Sequence, residues 1–220
     1  MFPKIKVWKN FCRRVSLICG LIISATKDLT TNNIDLISID EKPGIQALER
    51  KTLPMKVGRP LRQEFEYKRH GKSCLRAALD VGSGQIINYN LTQTNNNEDF
   101  VQFINSVTSN RPKDKQIIYL VDNLRPHMST SLVQLIAEII GCEQDLGKPR
   151  KHGILQNMKS RKAFLSTHAH RVRFVYTPIH CSWLNPIENW FSKLQKHVLR
   201  NNSFESLETL EASMGDYINY

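Results

Sequence analysis

The sequence predicts an α/β fold, a mixed β-sheet with helices on both faces, on three observations. Short apolar runs of strand length alternate along the chain with longer stretches of helical periodicity. The first two of the later runs are separated by a tight turn, as in a hairpin, whereas the subsequent ones are separated by helices, as in βα units. One run, Gln116 to Val121 (QIIYLV), is β-branched and apolar without polar alternation, the mark of a central strand covered on both faces.

Taken in order, Ile34 to Asp40 (IDLISID) reads as a buried strand that ends at the acidic pair Asp40-Glu41 and is broken by Pro43-Gly44. Leu53 to Gly71, rich in Pro, Gly and charge, reads as a long loop-like excursion. Ser73 to Leu79 and Gln85 to Tyr89 flank Gly82-Ser83-Gly84, a turn signal that pairs them as a hairpin. Asn97 is the expected N-cap of a helix with Phe100, Phe103, Ile104 and Val107 on one stripe. After QIIYLV and Asp122-Asn123, a second helix carries Leu132, Leu135, Ile136, Ile139 and Ile140 and stops at Gly141. Val172 to Tyr176 (VRFVY) is a strand closed by Thr177-Pro178, and two further helices run from Pro186 to about Leu199 and from Ser203. The RNase H-like architecture has this order of strand, hairpin, helix, strand, helix, strand, helix. The expected organisation is one such domain over residues 31–220, with a basic insertion at about 143–171, preceded by a basic remnant or linker over 1–30.

Composition narrows the function classes. With 40% hydrophobic and 23% charged residues over 220, the chain has the composition of a folded soluble protein and not of a disordered one. A net charge of +11 points to a polyanionic partner. The charge is concentrated: residues 1 to 27 hold six cations and no acid, and Glu143 to Arg173 hold eight cations against two acids, so each patch carries +6 and the rest −1. The five cysteines show no CxxC or Cys/His ligand spacing, which fits reduced thiols in a cytosolic protein without zinc or disulfides. A rival reading is a secreted or membrane-surface protein, because the basic start and the apolar run Val15 to Ile23 resemble a leader, although that run is too short to span a bilayer.

Three acids stand at comparable places. Asp40 and Asp122 each come after an apolar strand, at the sheet edge where sites form in α/β proteins, and Glu188 lies in the first turn of the helix after the last strand. Converging carboxylates hold hard divalent ions such as Mg²⁺, and two such ions drive in-line displacement at phosphorus. Each acid also has a structural reading. An Asp after a strand is commonly a turn former, and Glu188 falls at the capping-box position if Asn185 is N-cap and Pro186 is N1.

Four ordered segments, DEKPGIQALER (Asp40 to Arg50), RQEFEYKRHG (Arg62 to Gly71), VDNLRPH (Val121 to His127) and HCSWLNPIENWFSKLQ (His180 to Gln195), resemble the successive motifs of mariner-like DDE transposases of bacterial insertion sequences. The resemblance covers the chain from about Arg14 onward. It implies an RNase H-like catalytic domain, two Mg²⁺ or Mn²⁺ ions on Asp40, Asp122 and Glu188, and DNA as partner, both transposon ends and target, with a homodimer in the DNA complex. It also implies hydrolysis at the element's ends and then attack of the freed 3′-hydroxyl on target DNA. The spacing between the second and third acids, 188 − 122 = 66, exceeds the family's usual one by a stretch that contains EQDLGKPRKHG. No room precedes Ser16 for the helix-turn-helix region that reads the element's ends, so the expectation is an N-terminally truncated catalytic core. The alternative is an inactive remnant that retains nucleic-acid binding.

Around the triad, Glu41 adjoins Asp40, but successive strand residues face opposite ways and Asp40 is the expected ligand. Glu41, Asn123, His127 and Asn185 are expected to support the acids, His127 by orienting a ligand, donating to a phosphate or capping a helix and not by binding a hard ion. His180 and Ser182 are candidates to line the DNA path. Lys148, Arg150 and Lys151, in a Gly- and Pro-containing segment, with Lys159, Arg161 and Lys162, are expected to contact DNA phosphates. Trp190 and Phe191 belong to a core stripe with Ile187, Leu194 and Val198, while Trp183 lies off it.

Overall fold

The computed structural model describes residues 5–27, 33–53, 62–63, 66–200 and 202–220. Its first element, helix α1 (Ile5–Lys27), contains the apolar run Val15 to Ile23. Ile18 is 1% exposed, and Phe11, Val15, Cys19 and Ile22 pack around it, so one face of the run belongs to the buried stripe of an amphipathic helix while Leu17 and Ile23 of the same run are exposed. No helix among the described residues is long and apolar enough to cross a membrane.

Strand β1 (Ile34–Glu49) is succeeded by a two-residue ladder of β2 (Thr52–Leu53) and β3 (Arg62–Gln63), then β4 (Lys68–Asp80) and β5 (Ile86–Thr92). Most of the expected excursion between Leu53 and Gly71 lies outside the described residues, and β4 already begins at Lys68. Helix α2 (Asn97–Ser109), β6 (Gln116–Val121), α3 (Thr130–Ile139), α4 (Met158–Leu165), β7 (Val172–Tyr176), α5 (Pro186–Leu194) and α6 (Leu207–Asn219) complete the order. The five long strands form one mixed sheet, β5-β4-β1-β6-β7, in which β1, β6 and β7 are parallel.

The chain divides into two compact units. The first comprises Met1–Asp40, Ala77–Tyr89 and Asn96–Glu188, and holds the central sheet. Its strands alternate as a doubly covered sheet requires. Ile37, Ile39, Ile117, Tyr119, Val121, Phe174 and Tyr176 face α2, α3 and α4, whereas Leu36, Ile118, Leu120 and Val175 face α1. Burial of each such side chain contributes about 1.5–3 kcal/mol. The second unit comprises Glu41–Arg76, Asn90–Asn95 and Asn189–Tyr220. Inside it Arg76, 0% exposed, donates to Glu41 Oε1 at 3.2 Å and to Asn95 Oδ1 at 2.7 Å, so a buried ion pair is closed by amides. Trp190 packs against Phe191 and Tyr217 but is only half-buried, whereas Phe191, Leu194 and Val198 of the expected stripe are buried.

Several boundaries differ from the sequence reading. Strand β1 does not end at Asp40-Glu41 but continues through Pro43-Gly44 to Glu49. Because β6 stops at Val121, β1 has a neighbour on one side only beyond that point, and an edge accommodates a proline, while Gly44 supplies a positive φ of 69°. The N-cap of α2 is Asn96 rather than Asn97, since Asn96 forms a reciprocal capping box with Asp99. Helix α6 starts at Leu207 behind the cap Ser206, paired with Thr209, rather than at Ser203. Ser203 instead exchanges hydrogen bonds with the Arg50 backbone.

Candidate active site at the sheet edge

The register of β1 and β6 fixes the first two acids. Leu36 lies opposite Ile118 and Ser38 opposite Leu120, and Asp40 and Asp122 each come two residues after that last paired position, at the same end of the two strands. Asp40 is 6% exposed and Asp122 half-buried.

The start of α5 is fastened to this edge by Ser38. Ser38 Oγ accepts from the Ile187 amide at 3.0 Å and donates to Asn185 Oδ1 at 2.5 Å. A strand hydroxyl therefore caps the helix, and the Asn185 side chain is turned elsewhere. Its Nδ2 donates to Asp40 Oδ2 at 3.2 Å and to the Ile39 carbonyl at 3.1 Å. Asn185 is 1% exposed, so these bonds satisfy a buried amide that also orients a carboxylate. Glu188, half-buried, comes one turn into the helix so anchored, with its amide bonded to the Asn185 carbonyl at 3.0 Å. The Asn185 side-chain oxygen, expected to cap the helix, instead accepts from Ser38, whose hydroxyl takes the Ile187 amide.

Asp122 is held from the other side. His127, 0% exposed and tilted against Phe100 with ring centroids 4.4 Å apart, brings Nδ1 to 2.8 Å from Asp122 Oδ1, and the Leu124 amide donates to the same oxygen at 2.9 Å. Burial acts to raise the Asp122 pKa, but the His127 hydrogen bond and charge and the Leu124 amide outweigh it and hold the carboxyl below its ordinary value. Tyr176 fixes the histidine by donating its hydroxyl to the His127 carbonyl at 2.8 Å. Glu41 is engaged with Arg76.

An open cleft of about 530 Å³ is lined by Asp122, Asn123, Leu124, Thr177, Ile179, His180 and Ser182 among others. His180 has a positive φ of 61°, and Ile179 and Trp183 are 70% and 67% exposed beside it. A cleft of about 580 Å³ lies at the opposite edge, among residues that precede β6 and β7, such as Arg111 and Arg171, away from the acids. The three acids offer only hard oxygen donors, the set that suits Mg²⁺ or Mn²⁺. Among the described residues no three His, Cys, Asp or Glu side chains form a ready-made metal cage.

The basic residues separate into two groups. Lys148, Arg150 and Lys151 are exposed on a loop closed by backbone contact between Gly147 and Gly153. A Cβ on Gly147 would overlap the His152 carbonyl oxygen, and one on Gly153 would stand 2.7 Å from that of Leu146. Lys159, Arg161 and Lys162 lie on α4. Lys162 reaches the sheet edge, where it donates to Asn123 Oδ1 and lies over the Tyr176 ring at 4.3 Å. Asn123 Nδ2 in turn donates to the Thr177 carbonyl at 2.6 Å. Sequence reasoning missed Ser38, Arg14 and Arg173. For Arg173 a signal existed, since a cation inside an apolar strand run calls for a special role.

Residues 35–211 match the sequence model of the DDE superfamily endonucleases. No curated protein sequence matches. Among solved structures the fold is similar to the Mos1 mariner paired end complex with Mn (TM-score 0.56, 16% identity, covering 94% of this chain and 54% of that chain). It is also similar to a pre-cleavage Mos1 transpososome (0.57, 15%, 96% and 55%). A third is the Mos1 transposase catalytic domain with Raltegravir and Mn (0.55, 13%, 100% and 84%). At these identities the likeness is one of fold, the RNase H-like mixed sheet. The chain spans about half the length of the first two.

Proposed function

The chain belongs to the DDE superfamily endonucleases, and from that membership we propose that it is the catalytic domain of a DNA transposase of mariner-like type, with Asp40, Asp122 and Glu188 as its metal-binding acids. The observation that carries this reading is the register of β1 and β6. Asp40 and Asp122 each come two residues beyond its last pair, Ser38 opposite Leu120, and Asn185 bonds both Asp40 and, through Ser38, the start of the helix bearing Glu188, which supports this reading. The Mos1 structures with Mn or Mg support the choice of ion, and those with transposon ends support DNA as partner.

The three carboxylates would hold two Mg²⁺ or Mn²⁺ ions, which when bound supply activation of the attacking oxygen and charge neutralisation at the leaving oxygen. The chain's own residues do the rest. Asn185 keeps Asp40 Oδ2 in one orientation, and His127 with the Leu124 amide keeps Asp122 ionised. In the first step a water oxygen bonds to phosphorus and the bond to the 3′-oxygen breaks, leaving a 3′-hydroxyl. In the second, that hydroxyl attacks a phosphorus of target DNA and displaces another 3′-oxygen. Lys148, Arg150, Lys151, Lys159, Arg161 and Lys162 contact the phosphates of the bound strands.

The test is nicking of supercoiled and end-containing DNA in Mg²⁺ or Mn²⁺. The chain is expected to cleave well above the level of Asp40→Ala, Asp122→Ala and Glu188→Gln. Cleavage no greater than that of Asp122→Ala would overturn the catalytic reading.

A further inference from the structure

A second pocket adjoins the acid edge on the outer strand of the sheet. It has a volume of about 160 Å³ and is walled by Arg14 of α1, Lys162 and Ser166 beside α4, and Arg173 and Tyr176 of β7, with His168 at its rim. No acidic side chain is among the described residues that line it. Arg173 is 8% exposed, and its Nε has no hydrogen-bond partner among the described residues. Arg14 donates to the Tyr176 carbonyl at 2.8 Å, which fixes its guanidinium at the pocket wall. Arg14 and Lys162 repel each other with no acidic side chain lining the pocket between them. Burial and the neighbouring Arg14 push Lys162 down to about 8, and burial lowers Arg173 as well.

We propose that this pocket binds one phosphate group, a backbone phosphodiester of the DNA strand whose neighbouring residues occupy the acid edge. The proposal rests on the reading of the chain as a DNA-processing enzyme. The volume is below the roughly 300–1,000 Å³ of a small-molecule site, so the occupant is a single group and not a free nucleotide. Two arginines and a lysine at one point favour a tetrahedral oxyanion, which accepts several charged hydrogen bonds at once. The location is equally informative. Lys162 bonds Asn123, the residue after Asp122, and Asn123 bonds the Thr177 carbonyl, so the pocket and the Asp122 cleft share a wall. A strand crossing from one to the other would have its reacting phosphorus placed by the phosphate fixed beside it. Lys162 thus acts here as a positioning residue.

The experiment compares the full chain with Lys162→Met, Lys162→Arg and Arg173→Gln, without metal ion, in two arms. In the first, melting is monitored in inorganic phosphate and in chloride at matched ionic strength. Phosphate is expected to raise the Tm of the chain and of Lys162→Arg, and to lose that effect in Lys162→Met and Arg173→Gln. In the second, binding of duplex DNA is measured against salt. Lys162→Met is expected to reduce the slope of log K against log salt by about one, the loss of one phosphate contact. Equal Tm responses in all four proteins, together with unchanged salt slopes, would overturn the pocket. A phosphate response lost in the variants without any DNA binding by the chain would support the oxyanion site and overturn its DNA occupant. Arg173→Gln is interpreted only where its far-UV circular dichroism matches the parent, and Lys162→Met, on a half-buried surface residue, carries the test alone otherwise.

Discussion

At the scale of single residues, the acid edge depends on what lies behind each carboxylate. The depressed pKa of Asp122 means that its hydrogen bonds stabilise the fold at full strength above the ordinary aspartate value, and that this stability is lost as pH falls through the depressed one. Replacing His127 by Phe keeps an aromatic ring against Phe100 and removes one of the two partners of Asp122 Oδ1, leaving the Leu124 amide. The Asp122 carboxyl is then expected to titrate higher, toward the ordinary range, in a ¹³C carboxyl titration without metal. An unchanged titration would show that His127 does not hold the charge. Lys162 has the opposite sense. Its folded value is about 8 against the ordinary 10.5, so between those pH values the unfolded chain holds a proton that the folded chain has released, and stability rises with pH. Lys162→Met should flatten that rise in urea denaturation measured from pH 7.5 to 10.5, and a preserved slope would locate it elsewhere. The residue is half exposed, so solvent screening reduces the effect.

At the scale of elements, Ser38 shows why some of the site was legible and some was not. Strand periodicity located Ile34 to Asp40, and Asn185-Pro186 marked a helix start, because both signals are local. The cap itself comes from a residue 147 positions from Asn185, and no local pattern points to it. Removing it with Ser38→Ala leaves the Ile187 amide and the Asn185 carbonyl oxygen of the side chain short of a partner. The expected cost is about 1–2 kcal/mol of stability, with a larger proportional loss of cleavage because Asp40 loses its fixed amide. Stability reduced without loss of cleavage would mean that the clasp is structural only. The displaced boundaries have the same origin. Neighbouring asparagines make Asn96 and Asn97 indistinguishable as caps until Asp99 chooses one, and Pro43 reads as the end of β1 because the one-sided pairing beyond Asp40 is a property of the sheet. The basic loop is a third case. Its glycines were visible, but not that Gly147 and Gly153 touch. Gly153→Ala would place a Cβ 2.7 Å from the Leu146 carbonyl at a φ of 78°, so the loop is expected to open, seen as faster proteolysis at 146–153 with the Tm of the core little changed.

At the scale of the molecule, the net charge of +11 is unevenly distributed. The charge outside the two basic stretches is close to neutral, so nonspecific attraction cannot come evenly from the whole surface. In the first compact unit the two stretches meet the same strand. Arg14 of α1 bonds the Tyr176 carbonyl at the end of β7, and Lys162 of α4 lies on the Tyr176 ring. The loop cations Lys148, Arg150 and Lys151 are exposed and have only solvent screening to lose on binding. Each phosphate they neutralise releases condensed counterions, and the affinity therefore falls with salt in proportion to their number. Changing all three to Gln is expected to lower the salt slope of DNA binding by roughly two to three, uniformly across DNA sequences, since phosphate contacts carry no base information. It should leave unfolding in urea unchanged, because none of the three is buried. A slope equal to that of the parent would exclude the loop from the DNA path and leave the pocket at β7 as the principal phosphate contact of this edge.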